Sequence, residues 1–213
     1  MLVLLGAGFL FVSGKDAPSQ TAVVQSVGSA NTATTSNAAL LQTATTTNTT
    51  QPNKTMTATL HTTMGDITLK FLPEQAPNTV ANFLKLAKSG FYDGTRFHRV
   101  IKNFMIQGGD PLSKDDTKKA QWGTGGPGYQ FNDEVSKTNS NIVGSVAMAN
   151  SGPNTQGSQF FINAVDNHYL DPNYTVFAQV TSGLDVVEAI DKVATDGSDR
   201  PLSPVTITSV VVQ

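Results

Sequence analysis

A long polar tract limits how much of this 213-residue chain can fold. Residues 19 to 55 consist mainly of Thr, Ala, Asn, Gln and Ser, contain no aromatic residue, and carry Lys54 as their only charge. Such a composition buries too little apolar surface to offset the entropy lost on folding. We therefore predict a disordered linker over residues 15 to 55 and one folded domain over residues 56 to 213, a length that supports a single core.

The first fourteen residues have features of a secretion signal. Leu2 to Val12 is an uncharged apolar run that is too short to span a bilayer comfortably but matches the core of a signal peptide. Val12 and Gly14 fall at positions −3 and −1 of a possible cleavage site before Lys15. Because no lysine or arginine precedes the run, a misassigned start codon or a buried hydrophobic tail remains an alternative.

Charge and residue content exclude several classes of function. The net charge is −2 and the cations are scattered among acids, so a nucleic-acid partner is not expected. The chain has no cysteine, which excludes disulfides and cysteine nucleophiles. The histidines His61, His98 and His168 lack the spacing of paired zinc ligands, and we expect His98 to be a hydrogen-bonded structural residue. A G-x-G-x-x-G match at residues 123 to 128 follows no strand and opens no apolar helix, which argues against a dinucleotide site.

Hydrophobic periodicity predicts a mainly β domain. Short alternating or apolar runs bounded by turn residues predict strands at residues 56–63, 66–72, 97–101, 104–107, 143–150, 159–163, 175–180 and 205–212. Apolar residues at helical spacing predict one helix from Pro77 to Gly90 and a second over residues 184 to 193. Residues 111 to 128 form a long polar loop, which favours function or mobility. Short strands with two helices favour a barrel or a sandwich.

The stretch FHRVIKNFMIQGGD, residues 97 to 110, places an arginine among apolar residues of a predicted hairpin. Alternation along the first strand puts Phe97, Arg99 and Ile101 on one face. A charged group there costs free energy unless it is hydrogen-bonded, and Gln107 across the hairpin can accept such a bond. The alternative is that Arg99 extends to solvent from a sheet edge.

A second stretch, MANSGPNTQGSQFFI at residues 148 to 162, follows about forty residues after the first. Together the two stretches resemble the cyclophilin family of peptidyl-prolyl cis/trans isomerases, and the resemblance extends from about Thr57 to Val212. It implies an eight-stranded antiparallel closed barrel capped by two α-helices. It also implies isomerisation of X-Pro peptide bonds, and neither a metal nor an organic cofactor is expected.

The resemblance also implies a set of site residues. The catalytic set is Arg99, Gln107 and Phe104, and the substrate-binding set is Met105, Gly123, Ala149, Asn150, Ser151, Gln159, Phe161, Tyr169, Leu170 and Tyr174. Three of these positions depart from the usual family pattern. Tyr169 stands where tight cyclosporin binders tend to have tryptophan, Tyr174 stands where many members have histidine, and Ser151 replaces the usual alanine.

These residues would act without moving a proton. Rotation of an X-Pro bond faces a barrier of about 18 to 20 kcal/mol because the C–N bond has partial double-bond character. Twisting localises a lone pair on the prolyl nitrogen, so a donor aimed there stabilises the twisted state most. We expect Arg99 to be that donor, Gln107 to hold it, and the backbone of Asn150 to grip the peptide. The alternatives are that the apolar site residues are barrel core, or that the chain is a peptide-binding or chaperone-like module with little catalysis.

The expected partners are proline-containing polypeptides, and we expect the domain to be a monomer. If residues 1 to 14 are a signal, the domain lies in the bacterial periplasm, where the linker can keep it near the inner membrane. There it would assist the folding of exported proteins, since X-Pro isomerisation is slow. A single small domain without a two-lobed repeat argues against a transporter's substrate-binding protein.

Overall fold

A computed structural model describes residues 56 to 213 of the chain. The strands are β1 (Thr57–Thr62), β2 (Gly65–Phe71), β3 (Arg99–Ile101), β4 (Met105–Gly108), β5 (Ser145–Met148), β6 (Phe160–Asn163), β7 (Val176–Ser182) and β8 (Ile207–Val212). The helices are α1 (Pro77–Lys88) and α2 (Leu184–Asp191). The signal-like segment predicted at residues 1 to 14 and the linker predicted at residues 15 to 55 lie outside the described residues.

All eight strands belong to one antiparallel sheet, in the spatial order β3-β4-β6-β5-β7-β2-β1-β8. The sheet curls so that the backbone just before β3 meets β8. The Gly94 amide donates to the carbonyl of Ile207 at 2.8 Å, and the Phe97 amide donates to the carbonyl of Val205 at 2.9 Å. The predicted eight-stranded antiparallel fold with two helices is confirmed, and loop backbone rather than a strand ladder bridges its last gap.

The main hydrophobic core lies on the inner face of the curled sheet and includes the alternate residues that the sequence pattern indicates. Among them, the fully or almost fully buried side chains of the first hairpin are Leu60, Ile67, Leu69 and Phe71. Phe83 anchors α1 in this core, with ring centroids 4.8 Å from Tyr92, 5.3 Å from Phe177 and 5.6 Å from Phe160. A single helical residue therefore packs α1 against two strands at once.

The beginning of β3 differs from the sequence prediction. The strand starts at Arg99, and Phe97 packs in the main core with its ring centroid 6.4 Å from that of Phe160. The prediction that Phe97 shares a face with Arg99 is therefore wrong. The physical reason is that the Phe97 amide bonds to Val205, which turns the backbone out of the β3–β4 ladder before Arg99.

The long polar loop after β4 contains more regular structure than the sequence indicates. Two 3₁₀ helices, Pro111–Lys114 and Asp116–Gln121, form around the side chain of Arg96. The guanidinium donates to both carboxylate oxygens of Asp116, at 2.5 and 3.0 Å, and lies 5.1 Å from the ring centroid of Trp122. These contacts fix the segment that leads into the Gly-rich part of the loop.

A distant carboxylate caps the N-terminus of α1. The N-cap residue, Ala76, offers no side-chain bond. Glu134 accepts hydrogen bonds from the amides of Asn78 and Thr79, at 3.1 and 2.7 Å, and from the Thr79 hydroxyl at 2.8 Å. Partial burial acts to raise the pKa of Glu134, but these hydrogen bonds outweigh it and lower the pKa below its usual value.

Replacing Glu134 with glutamine should destabilise the fold in a pH-dependent way. We expect Glu134→Gln to lower the free energy of unfolding by about 1 kcal/mol at pH 7, because the charged cap is lost. The folded-state pKa of Glu134 is lowered, so its charge stabilises the fold above the unfolded pKa of about 4.3. That contribution disappears as the pH falls through the lower folded-state value.

Urea titrations of both proteins between pH 7 and pH 2 measure this difference. Glu188→Gln is the matched control, since within the described part of the chain Glu188 forms only an exposed pair with Lys192 at 3.5 Å, and it should cost less than about 0.5 kcal/mol. A difference between the Glu134 variant and the wild type that is constant over the whole pH range would show that the cap does not act through its charge.

Candidate active site

A line of polar side chains crosses the outer face of the sheet. Arg99 pairs with Gln107 across the β3–β4 ladder, so both side chains lie on the same face. Arg99 Nη1 donates to Gln107 Oε1 at 3.3 Å, and Gln107 Nε2 donates to Gln159 Oε1 at 3.0 Å. Gln159 Nε2 in turn donates to the carbonyls of Gly123 and Gly125, at 3.0 and 2.8 Å.

The direction of these hydrogen bonds follows from their end points. Backbone carbonyls can only accept, so Gln159 must present its Nε2 to the glycine loop and its Oε1 to Gln107. Gln107 then meets Gln159 with its Nε2, which leaves its Oε1 directed at Arg99. The hydrogen bond between Arg99 and Gln107 that the sequence predicts is present, and two further bonds orient its acceptor.

The apolar site residues form a second hydrophobic cluster, distinct from the main core. Its buried members are Met105, Ala147, Phe161, Leu170 and Val176. Met105 and Ile106 are consecutive in β4, yet Ile106 belongs to the main core and Met105 to this second cluster. These residues therefore pack on the opposite face of the sheet from the main core.

Aromatic side chains border the second cluster. Tyr174 packs edge-on against Phe161, with ring centroids 5.5 Å apart. Phe104 is partly buried against the cluster and stacks on Tyr169 at 6.2 Å. Tyr169 is 67% exposed, so its ring borders the second cluster on the solvent side and is not buried in it. Leu170, in contrast, is buried in the cluster.

Arg99 lies at the border between the polar line and the second cluster. Gln107, its register partner, is in turn the register partner of Phe161, and Ile101 on the same strand face packs against the cluster. The Arg99 side chain is 44% exposed. Neither sequence-based alternative fits fully, since the guanidinium is hydrogen-bonded beside apolar groups but is open to solvent on one side.

Asn150 occupies a loop next to this border and has an unpaired backbone. Its side chain is committed to the fold, because Nδ2 donates to the Asn173 carbonyl at 2.8 Å and Oδ1 accepts from the Gly152 amide at 3.3 Å. Within residues 56 to 213, the amide and carbonyl of Asn150 make no hydrogen bond. An extended peptide can pair with such a free backbone segment.

A cavity of about 720 Å³ opens beside Asn150. Six predicted site residues line it, namely Gln107, Gly123, Ala149, Asn150, Ser151 and Gln159. Ala149 also packs against the second cluster, so the cavity and the cluster meet at this residue. The structure thus brings the predicted residues together in two adjoining parts, one polar and concave, the other apolar. Tyr129 and Thr155 also line the cavity and were missed, although Tyr129 directly follows the Gly-rich run.

The Gly-rich loop is held by a buried carboxylate. Asp110 is fully buried and accepts hydrogen bonds from the amides of Leu112, at 2.7 Å, and Gly123. Gly123 has φ = +93°, a conformation that favours glycine. A side chain on Gly125 would collide with the Asp110 carboxylate. Both residues must therefore be glycine for their carbonyls to lie where Gln159 Nε2 donates to them.

His98 is buried behind Gly123, and neither of its ring nitrogens has a hydrogen-bond partner among the described residues. The prediction that His98 is hydrogen-bonded is therefore wrong. Burial lowers the pKa of His98, although the Asp110 carboxylate acts in the opposite direction. The ring is consequently neutral at and above neutral pH.

Within residues 56 to 213, no cluster of three or more His, Asp or Glu side chains could hold a metal ion.

Comparison with known proteins decides the family. Residues 57–212 match the family model described as "Cyclophilin type peptidyl-prolyl cis-trans isomerase/CLD". The chain belongs to the cyclophilin-type peptidyl-prolyl cis-trans isomerases. This agrees with the resemblance of the two sequence stretches that supply Arg99, Gln107 and Gln159.

Relatives of this isomerase occur in bacteria, plants and fungi. Peptidyl-prolyl cis-trans isomerase A of Mycobacterium tuberculosis is 46% identical over 182 residues, covering 77% of this chain and 96% of the relative. Peptidyl-prolyl cis-trans isomerase CYP18-1 of Arabidopsis thaliana is 43% identical over 158 residues, covering 74% and 96%. Peptidyl-prolyl cis-trans isomerase 9 of Schizosaccharomyces pombe is 48% identical over 159 residues, but the chain spans only 25% of its length.

Solved structures of a Cryptosporidium parvum cyclophilin-type isomerase share this fold. One has a TM-score of 0.68 at 32% identity and covers 75% of this chain and 98% of its own. A second, obtained in the presence of the dipeptide Ala-Pro, has a TM-score of 0.67 at 32% identity and covers 74% and 98%. The curled eight-stranded sheet with two helices is thus the cyclophilin fold.

Replacing Gln159 with leucine should weaken isomerase activity through Gln107. Gln159→Leu removes the amide that orients Gln107, and we expect kcat/KM for an X-Pro peptide to fall about fivefold, equivalent to one lost hydrogen bond of about 1 kcal/mol. Gln179→Leu is the control, since the Gln179 amide also donates to a backbone carbonyl, that of Val143 at 3.0 Å. It should stay within twofold of the wild type. Equal losses in both variants would show that the effect is general destabilisation.

Proposed function

We propose that this isomerase acts on X-Pro bonds of exported polypeptides, and that Arg99 donates a hydrogen bond to the prolyl nitrogen as the bond twists. The observation that carries the proposal is the line of hydrogen bonds from the glycine loop through Gln159 and Gln107 to Arg99. That line ends beside the second hydrophobic cluster, which offers a surface to a proline ring.

The proposed role of Arg99 rests on which of its nitrogens are free. Nη1 is held by Gln107, whereas Nη2 has no partner within residues 56 to 213. A planar amide nitrogen is a poor acceptor because its lone pair is conjugated, and it becomes a good acceptor only when the bond twists. A donor fixed in place before the reaction therefore stabilises the twisted state more than the planar one.

The second cluster and Asn150 would hold the substrate on either side of the rotating bond. The proline ring would pack against Met105, Phe161 and Leu170, where burial removes apolar surface from water. The free amide and carbonyl of Asn150 would pair with the backbone that precedes the proline. With the ring held, rotation would move the carbonyl before the proline. The relative solved in the presence of Ala-Pro supports a substrate of this class.

The proposed mechanism transfers no proton to or from the substrate. The guanidinium of Arg99 keeps its positive charge from pH 6 to 9, and burial lowers the pKa of His98 below its usual value, which favours the neutral ring. We therefore expect a nearly flat rate from pH 6 to 9. A bell-shaped profile would indicate proton transfer by another group.

Replacing Arg99 with alanine should remove most of the catalysis. Loss of one preorganised donor costs roughly 3 to 4 kcal/mol, or two to three powers of ten in rate. Arg99→Lys should also be poor, because an ammonium lacks the planar fork. The rates are measured by NMR exchange spectroscopy on an X-Pro peptide. Lys102→Ala, an exposed change in the β3–β4 turn, is the control and should leave the rate unchanged. A loss of less than fivefold for Arg99→Ala would reject the assignment.

The export part of the proposal rests on residues 2 to 12. No helix within residues 56 to 213 is long and apolar enough to cross a bilayer. The apolar N-terminal run has the length of a signal-peptide core, and the polar tract after it suits a flexible tether. The domain would thus work in the periplasm, near the membrane if the run is retained.

Fractionation of bacteria that express the full chain with a C-terminal tag tests this location. We expect the tagged protein in the periplasmic or membrane fraction, because residues 1 to 14 direct its export. A variant that lacks residues 2 to 14 should remain in the cytoplasm. Recovery of the complete chain only from the cytoplasm would remove the export proposal and leave the isomerase mechanism intact.

A further inference from the structure

The loop between α2 and β8 covers the open edge of β3. On its other edge, β3 pairs with β4, so the outward backbone groups of β3 need partners from elsewhere. The Val100 amide donates to the carbonyl of Asp199 at 2.8 Å. Asp199 is therefore fixed directly beside the residue that precedes Val100, which is Arg99.

The backbone of Asp199 is held in an unusual conformation. Its φ is +60°, and it is one of three non-glycine residues in the described chain with a positive φ. Asp196 builds the turn that holds it there: its Oδ1 accepts from the amides of Ser198 and Arg200, at 2.9 and 3.1 Å, and its carbonyl accepts from the Asp199 amide at 3.0 Å. Residues kept in sparsely populated conformations often have a functional role.

The Asp199 carboxylate meets the guanidinium that Gln107 also holds. Asp199 Oδ2 lies 3.7 Å from Arg99 Nε. On the adjoining strand, Gln107 accepts a hydrogen bond from Nη1. A guanidinium is planar, with Nε, Nη1 and Nη2 at three corners. One contact leaves the plane free to turn, and a second contact at another corner restricts it. With Nε and Nη1 engaged, Nη2 is the corner left to face a substrate.

We propose that Asp199 is a positioning residue for isomerisation, which sets the plane of the Arg99 guanidinium without touching the substrate. This inference rests on the proposed role of Arg99 as the donor. The two side chains are 44% and 47% exposed, and exposed ion pairs contribute little to folding stability. The effect of Asp199 therefore falls on kcat, while KM and the stability of the fold change little.

Asp199→Asn is the variant that tests this role. Asparagine keeps the size of the side chain and tolerates a positive φ, so only the charge is removed. We expect kcat to fall three- to tenfold for an X-Pro peptide, with KM within twofold and an unchanged urea midpoint. Lys119→Gln is the matched control, because Lys119 pairs with Asp196 of the same loop at 3.5 Å but does not contact Arg99. Its kcat should stay within twofold of the wild type.

NMR of the guanidinium provides a readout that does not depend on activity. The chain contains three arginines, so the spectrum has three Nε–H signals, and Arg99→Lys identifies the one from Arg99. In Asp199→Asn we expect faster hydrogen exchange at that signal, since Nε–H no longer lies beside a carboxylate. The hydrogen-exchange rates at the Nε–H signals of Arg96 and Arg200 should not change.

The possible outcomes separate this inference from the proposed function. If Arg99→Ala loses its activity but Asp199→Asn keeps its kcat and its Nε–H exchange rate, the positioning role is overturned and the donor role stands. If Asp199→Asn leaves kcat near the wild-type value but changes KM more than twofold or shifts the urea midpoint, Asp199 has a binding or structural role. The inference is then also overturned. If Arg99→Ala itself loses less than fivefold, the proposed donor role fails first.

Discussion

The hydrogen bonds from Gln159 to the carbonyls of Gly123 and Gly125 are the constraint on which the rest of the site depends. A carbonyl can only accept, so these bonds fix which end of the Gln159 amide faces Gln107, and through Gln107 they fix the acceptor presented to Arg99. The glycine loop can present those carbonyls because the buried Asp110 carboxylate accepts a hydrogen bond from the Gly123 amide. The orientation of one cation therefore originates in a buried carboxylate on another segment.

A second constraint is the division of the sheet into two apolar faces. Ile106 points into the main core with Phe83, and Met105, the next residue toward the turn, points into the cluster on the outer face. The inner face supplies the burial that folds the domain, so the outer face is free to remain partly exposed. This division explains how a half-exposed guanidinium and a second hydrophobic cluster can lie side by side.

Local patterns predicted much of this structure, and contacts between distant residues account for the errors. Strand alternation located the buried residues of the first hairpin, and the spacing in the β3–β4 hairpin predicted the bond between Arg99 and Gln107. The sheet face on which Phe97 lies was wrongly predicted because its amide bonds to the carbonyl of Val205, more than a hundred residues later. The contacts of Arg96 with Asp116 and Trp122, and the ion pair of Asp199 with Arg99, have no local signal in the sequence. The remaining site assignments came from the family resemblance, since composition alone does not distinguish a substrate surface from a core.

The central claim is that Arg99 acts on the twisted bond and not on the resting peptide. The most direct test measures, on one X-Pro peptide, both the dissociation constant and the exchange rate of the bound isomers for the wild type and Arg99→Ala. The account predicts that the dissociation constant stays within about threefold, while the exchange rate falls by two powers of ten or more. A loss of affinity with an unchanged exchange rate of the bound isomers would contradict it, because Arg99 would then bind the planar and twisted states equally.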